Sequence, residues 1–216
     1  MISKILQPEG NYYDKYGSKN PIEKLIMKGF FDSIDDMLEF SGIAMMGGYC
    51  LEAGCGEGNL TQHISNWFCK FDTAVTFNAF DISEKLIEEN KYKFSEISFF
   101  THNIYENLES KFIPVGEKYN LIVCSEVLEH LERPKDAIEN LKNYGNRFII
   151  SVPNEPLWRI LNVVRGKYLR DFGNTPGHIQ HFSMKKFCNM LNECGLRVRK
   201  ISRPLPWLMV YCEYDI

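Results

Sequence analysis

Five short and almost uninterrupted apolar runs, most of them followed by a longer amphipathic stretch, limit what this chain can fold into. The runs are Tyr49–Glu52, Ala74–Asp81, Ile97–Thr101, Tyr119–Cys124 and Phe148–Val152. A strand apolar on both faces belongs in a sheet covered on both sides, and helices between successive strands make such a sheet parallel. Helical patterns fall where that scheme needs them: Asn59–Phe68, Glu84–Tyr92, Pro134–Tyr144 and Met184–Glu193, the last with Ser183 as N-cap and Gly195 as stop. Ahead of the first strand, Asn20-Pro21-Ile22-Glu23 combines an N-cap, a first-turn proline and an acidic residue three places after the cap. It predicts a helix that runs to about Phe40 and ends at Ser41-Gly42. Near the C-terminus, Arg197–Arg203 and Trp207–Glu213 are separated only by Pro204-Leu205-Pro206. They read as an antiparallel pair at a sheet edge. The expected fold is α/β, a doubly wound and mostly parallel sheet with a C-terminal antiparallel hairpin.

Composition narrows the function classes. A length of 216 residues fits one domain, and 44% hydrophobic with 25% charged residues are values of an ordinary globule. A formal net charge of −3 leaves no global footprint for nucleic acid or an anionic membrane. The opening MISKILQPEGNYYDKYGSKNP has no apolar core of signal-peptide length, and no segment approaches a membrane span. The seven cysteines form no CxxC pair, which argues against a disulfide framework or a zinc knuckle and for a cytoplasmic protein.

The first run passes into LEAGCGEGNLT, residues 51–61. Gly54, Gly56 and Gly58 stand between a strand and a helix, where backbone must turn sharply and can approach a ligand closely. Their G-x-G-x-G spacing departs from the G-x-G-x-x-G of dinucleotide binders, because Asn59 takes the place of the third glycine. Asp81 closes the second run, where a carboxylate can accept hydrogen bonds from ribose hydroxyls; the alternative is a cap on the helix beginning near Ser83-Glu84. In order, LEAGCGEGNLT, AFDIS and YNLIVCSEVLEHL resemble the motifs of class I S-adenosylmethionine-dependent methyltransferases over roughly Tyr49 to Val152. The resemblance implies a Rossmann-like, seven-stranded sheet and S-adenosyl-L-methionine as cofactor. It places Glu52, Gly54, Gly56 and Gly58 along the methionine part, Asp81 on the ribose, Ile82 beside the adenine and Ser125 at the end of the fourth strand facing the cofactor. Asn103 stands where the family often has an acidic residue near the adenine amino group.

SEVLEHLERP, residues 125–134, follows the fourth run at once. On a helix Glu126, Glu129 and His130 would share one face, with Val127, Leu128 and Leu131 opposite. One reading is a solvated acidic face. The other resembles a subset of the family in which E-x-x-E-H and a later histidine hold a divalent metal, as in O-methyltransferases of ubiquinone biosynthesis and of small-RNA ends. The later histidine would be His178 or His181, and two carboxylates with two imidazoles suit magnesium, manganese, iron or zinc. A metal-bound hydroxyl loses its proton readily. Without metal, Glu126, His130 or His178 shape a polar acceptor pocket or act as general base.

Residues 153–182 read as an acceptor-side insertion or lid and residues 1–45 as an N-terminal arm and helix. Within the insertion, Leu157, Leu161, Val164 and Tyr168 share a helical face flanked by Arg165, Lys167 and Arg170. That stretch, 157–170, packs as a lid or makes peripheral membrane contact. The expected activity is methyl transfer to a hydroxyl of a small molecule, lipid or glycan; net charge argues against nucleic acid. An NAD(P)-dependent oxidoreductase and a non-catalytic S-adenosylmethionine-binding protein are the competing classes.

Overall fold

The computed structural model describes residues 20–108, 116–155, 157 and 179–214. Helix α1 (Pro21–Ser41) starts where the Asn20 side chain accepts the Ile22 N–H at 2.9 Å. It stops at Gly42, which turns left-handed and donates its N–H to Glu39 O. A single further turn, α2 (Ile43–Met46), was not evident in the sequence pattern.

From there strands and helices alternate: β1 (Gly48–Ala53), α3 (Asn59–Phe68), β2 (Val75–Asp81), α4 (Glu84–Lys93), β3 (Ser98–Thr101), β4 (Leu121–Ser125), α5 (Pro134–Lys142) and β5 (Arg147–Pro153). Helix α6 (Met184–Glu193), β6 (Leu196–Ser202) and β7 (Trp207–Tyr214) complete the described elements. The strands form one sheet in the order β3-β2-β1-β4-β5-β7-β6. The first five are parallel, while β7 lies antiparallel between β5 and β6, so the terminal hairpin supplies one edge. This is the expected Rossmann-like sheet. Tyr119, taken as the start of the fourth strand, instead makes an isolated bridge with Gly145.

The two sheet faces carry separate cores. On one, Leu51, Ile122, Phe148, Ile150 and Val210 pack with Ile138 and Leu141 of α5 and Phe187 and Leu191 of α6. On the other, Cys50, Phe77, Val123, Ile149 and Trp207 pack with Phe30, Ile34 and Leu38 of α1 and Leu60 and Ile64 of α3. The strand order reverses between β1 and β4. In open α/β sheets the crevice at the carboxyl ends beside that reversal is where ligands bind. Among the described residues no helix is long and apolar enough to cross a membrane. The stretch 157–170 lies, beyond Leu157, outside the described residues, as does the arm before Asn20.

Candidate active site

At the carboxyl end of β1 the chain turns on three left-handed glycines, Gly54 (φ 79°), Gly56 (φ 50°) and Gly58 (φ 79°). Each has different surroundings. A Cβ on Gly54 would collide with Val127 just after β4, and one on Gly58 would meet Asn90 Oδ1 at 2.8 Å. A Cβ on Gly56 would meet nothing within 4 Å. The loop thus packs against the β4 turn at one end and α4 at the other, and its middle faces open space.

Two neighbouring elements grip that middle. The Gly56 N–H donates to Asp81 Oδ2 at 2.9 Å, while Asp81 Oδ1 accepts the Ser83 N–H at 3.0 Å. A carboxylate oxygen carries two acceptor directions, so both oxygens of Asp81 keep one for a ligand. Helix α4 is capped by Ser83, whose hydroxyl accepts from Leu86 N–H. From α4, Asn90 donates its Nδ2 to Gly56 O at 2.8 Å. Ile82, next along from Asp81, is 45% exposed, an apolar side chain open to solvent at the crevice. Asn103 is engaged within its own turn: Oδ1 accepts the Tyr105 N–H at 3.2 Å and Nδ2 donates to Glu106 at 3.3 Å. Ser125 is hydrogen-bonded to Ser151 at 2.6 Å across the β4–β5 ends.

Glu52 lies beneath the loop and is 2% exposed. Burial pushes its carboxyl up to about 8, and the Asp81 charge adds to the effect; the Thr61 hydroxyl pulls it only partly back. That hydroxyl is beside the carboxyl but short of hydrogen-bond geometry, since Glu52 Oε2 and Thr61 Oγ1 have no partner among the described residues. The folded protein therefore holds this proton to about pH 8, whereas an exposed glutamate releases it near 4.5. Between those values the folded state binds more protons than the unfolded chain, so stability declines as pH rises. Without ligand, the melting temperature should fall as pH rises from about 4.5 to about 8, and Glu52→Gln should flatten that fall. Parallel slopes for the two proteins would refute the assignment.

The SEVLEHL stretch departs from expectation. Glu126 is not helical; it is the one non-glycine with positive φ (57°) among the described residues. Only Leu128–His130 form a turn, of the tighter 3-10 kind, so the shared face of Glu126, Glu129 and His130 does not exist. Glu126 reaches across to β7, where Trp207 Nε1–H donates to its Oε1 at 2.8 Å. Trp207 belongs to the core on the α1/α3 face. Glu129 is 1% exposed and close enough to Cys124, in the other core, to raise its thiol after burial itself has done so. The two carboxylates thus have different surroundings, Glu126 with Trp207 and Glu129 near Cys124.

The metal expectation is corrected accordingly. Among the described residues no three of His, Cys, Asp or Glu are placed to hold an ion, which removes Glu126, Glu129, His130 and His181 as a common ligand set. His178 lies outside the described residues. His181 is half-buried, with Nδ1 buried and unpartnered among the described residues. The 3-10 turn anchors the returning chain, because Glu129 O accepts the Ile179 and Gln180 N–H groups at 2.9 and 3.0 Å.

Sequence reasoning missed Asn90 and Trp207. Asn90 had a faint signal, a polar residue continuing the buried stripe of Leu86 and Ile87 on α4. Trp207 had none, since its partner lies 81 residues away in the chain.

The comparisons with known proteins agree with this architecture. A family model described as a methyltransferase domain matches residues 28–201. Magnesium protoporphyrin IX methyltransferase from Synechocystis, solved with bound S-adenosylhomocysteine, is 22% identical, with 92% of this chain and 89% of that one covered and a TM-score of 0.62. A SAM-dependent methyltransferase from Aquifex aeolicus is 16% identical over 84% of this chain and 89% of that one, with a TM-score of 0.59. The mitomycin 7-O-methyltransferase is 12% identical over 83% of this chain and 54% of that one, with a TM-score of 0.61. No curated protein sequence matches the chain.

Proposed function

The chain belongs to the methyltransferase-domain family and is an S-adenosylmethionine-dependent methyltransferase, and we propose that its acceptor is a hydroxyl on a small molecule. The observation that carries the oxygen assignment is Glu126, a carboxylate that leaves the carboxyl end of β4 and is held by the Trp207 N–H, its neighbour Val127 packing against Gly54 of the glycine loop. The strained backbone of Glu126 fits that assignment, because such conformations persist where surrounding structure enforces them and cluster at functional sites. Two of the similar structures are named for small-molecule reactions, on magnesium protoporphyrin IX and on the 7-oxygen of mitomycin.

The residues present suit the cofactor. Asp81 offers its remaining lone pairs to the ribose hydroxyls, and exposed Ile82 offers an apolar wall to the adenine, with Asn103 close by. Gly56 leaves room where the amino-acid end would pass, and Glu52, Gly54, Gly58 and Ser125 border that path. When bound, S-adenosylmethionine supplies a methyl group on a sulfonium, and transfer to a nucleophile needs chiefly alignment and removal of a proton. Glu126 takes the hydroxyl proton of the acceptor, with His130, half-buried four residues on, as the second candidate base.

The test is transfer of a labelled methyl group from S-adenosylmethionine to a panel of phenolic, polyprenyl, glycan and RNA-end acceptors. Label on a hydroxyl oxygen of a small phenolic or comparable acceptor is expected. Label only on nitrogen or carbon, or only on RNA ends, would overturn the proposal.

A further inference from the structure

Asn90 breaks the pattern of its helix. It occupies the buried stripe of α4 with Leu86 and Ile87 and is 0% exposed. Its Oδ1 has no hydrogen-bond partner among the described residues. A buried amide that is only partly satisfied destabilises a fold, and leucine would continue the stripe without that cost. Departures of this kind are expected where function requires them.

Its donor atoms are directed at the glycine loop. Nδ2 reaches Gly56 O at 2.8 Å and also approaches Cys55 Sγ at 3.9 Å. On the opposite side of the same residue, the Gly56 N–H is held by Asp81. With both its N–H and its C=O fixed, Gly56 has little freedom left. The following peptide is planar and trans, so anchoring Gly56 O to α4 aims the Glu57 N–H the opposite way. Asn90 Oδ1 also sits against Gly58, where a Cβ would meet it at 2.8 Å.

We propose that Asn90 is a positioning residue for the methyl donor, holding the loop in the conformation that receives the amino-acid end of the cofactor. This rests on the donor site set out above. Preorganisation of this kind raises affinity by removing the cost of ordering the loop on binding. Asn90 acts only through the loop. Asp81 keeps its second anchor at Ser83, so the nucleoside end is held independently.

The distinguishing experiment is calorimetry with S-adenosylhomocysteine and, separately, adenosine. The proteins are the wild type, Asn90→Leu and the smaller Asn90→Ala, with thermal unfolding to confirm folded protein. Both variants should bind S-adenosylhomocysteine about tenfold more weakly, the equivalent of one hydrogen bond, and adenosine as the wild type does. Equal weakening of both ligands would show a general structural role and overturn the proposal, as would unchanged S-adenosylhomocysteine affinity. If the wild type fails to bind S-adenosylhomocysteine at all, the donor site itself is wrong, and the role of Asn90 falls with it.

Discussion

Gly56→Val should abolish measurable S-adenosylhomocysteine binding and leave the protein folded. The expected weakening is ~100-fold or more, roughly 2.7 kcal/mol or greater. The three loop glycines look alike in the sequence, yet only this one separates binding from folding. At Gly54 any side chain runs into Val127, and at Gly58 it runs into Asn90 and Phe94. Replacing either should therefore damage the structure before it reports on the ligand. At Gly56 the added atoms meet nothing within 4 Å of the first carbon, so they enter the space assigned to the donor. Stability should still fall by about 1–2 kcal/mol, because a φ of 50° is costly for a side chain with a Cβ. Thermal unfolding with calorimetry reads both quantities. Wild-type affinity in a folded Gly56→Val protein would remove the loop from the donor site.

Glu126→Gln should slow methyl transfer by about 10²–10⁴-fold, the range for loss of a general base. The amide keeps an oxygen for the Trp207 N–H and keeps the shape of the side chain, but it cannot take a proton at neutral pH. Cofactor affinity should be unchanged, because the contacts proposed for the donor lie mainly on the glycine loop and at the end of β2, while the Glu126 side chain is turned to Trp207. The measurement is single-turnover transfer of labelled methyl to the acceptor found by the panel, beside calorimetry with S-adenosylhomocysteine. Full activity in the amide variant would exclude Glu126 as the base, and His130→Gln would then be the decisive variant.

The frame of this molecule was readable because both faces of its sheet are buried. Continuous apolar runs then mark strands directly, and β1, β2, β3 and β5 lie within about a residue of the runs that predicted them. Helices α3 and α6 match their predicted bounds, and α1 begins and ends at its capping residues, Asn20 and Gly42. The glycine loop and Asp81 were legible for a similar reason, since strand ends and left-handed turns leave local signatures. SEVLEHL was misread because its helical spacing is real but too short to govern the backbone. The chain leaves β4 through Glu126, whose φ of 57° lies outside the right-handed helical region and whose N–H continues the sheet ladder to Ser151 O on β5 at 3.0 Å. Trp207 reaches Glu126 only because β7 pairs with β5 so that Trp207 stands opposite Pro153. Nothing local encodes that register. Asn90 was overlooked because its partner is a backbone carbonyl, which carries no residue identity.

A crystal structure of the protein with S-adenosylhomocysteine tests the central claim most directly. The account predicts ribose hydroxyls within hydrogen-bond distance of Asp81, the adenine against Ile82, and the amino-acid end over Gly56 with the Asn90–Gly56 bond retained. It also predicts the sulfur on the side of the crevice where the Glu126 carboxylate lies. Ligand density away from the β1–β2 ends, or a donor sulfur shielded from Glu126 by the β4 turn, would contradict it.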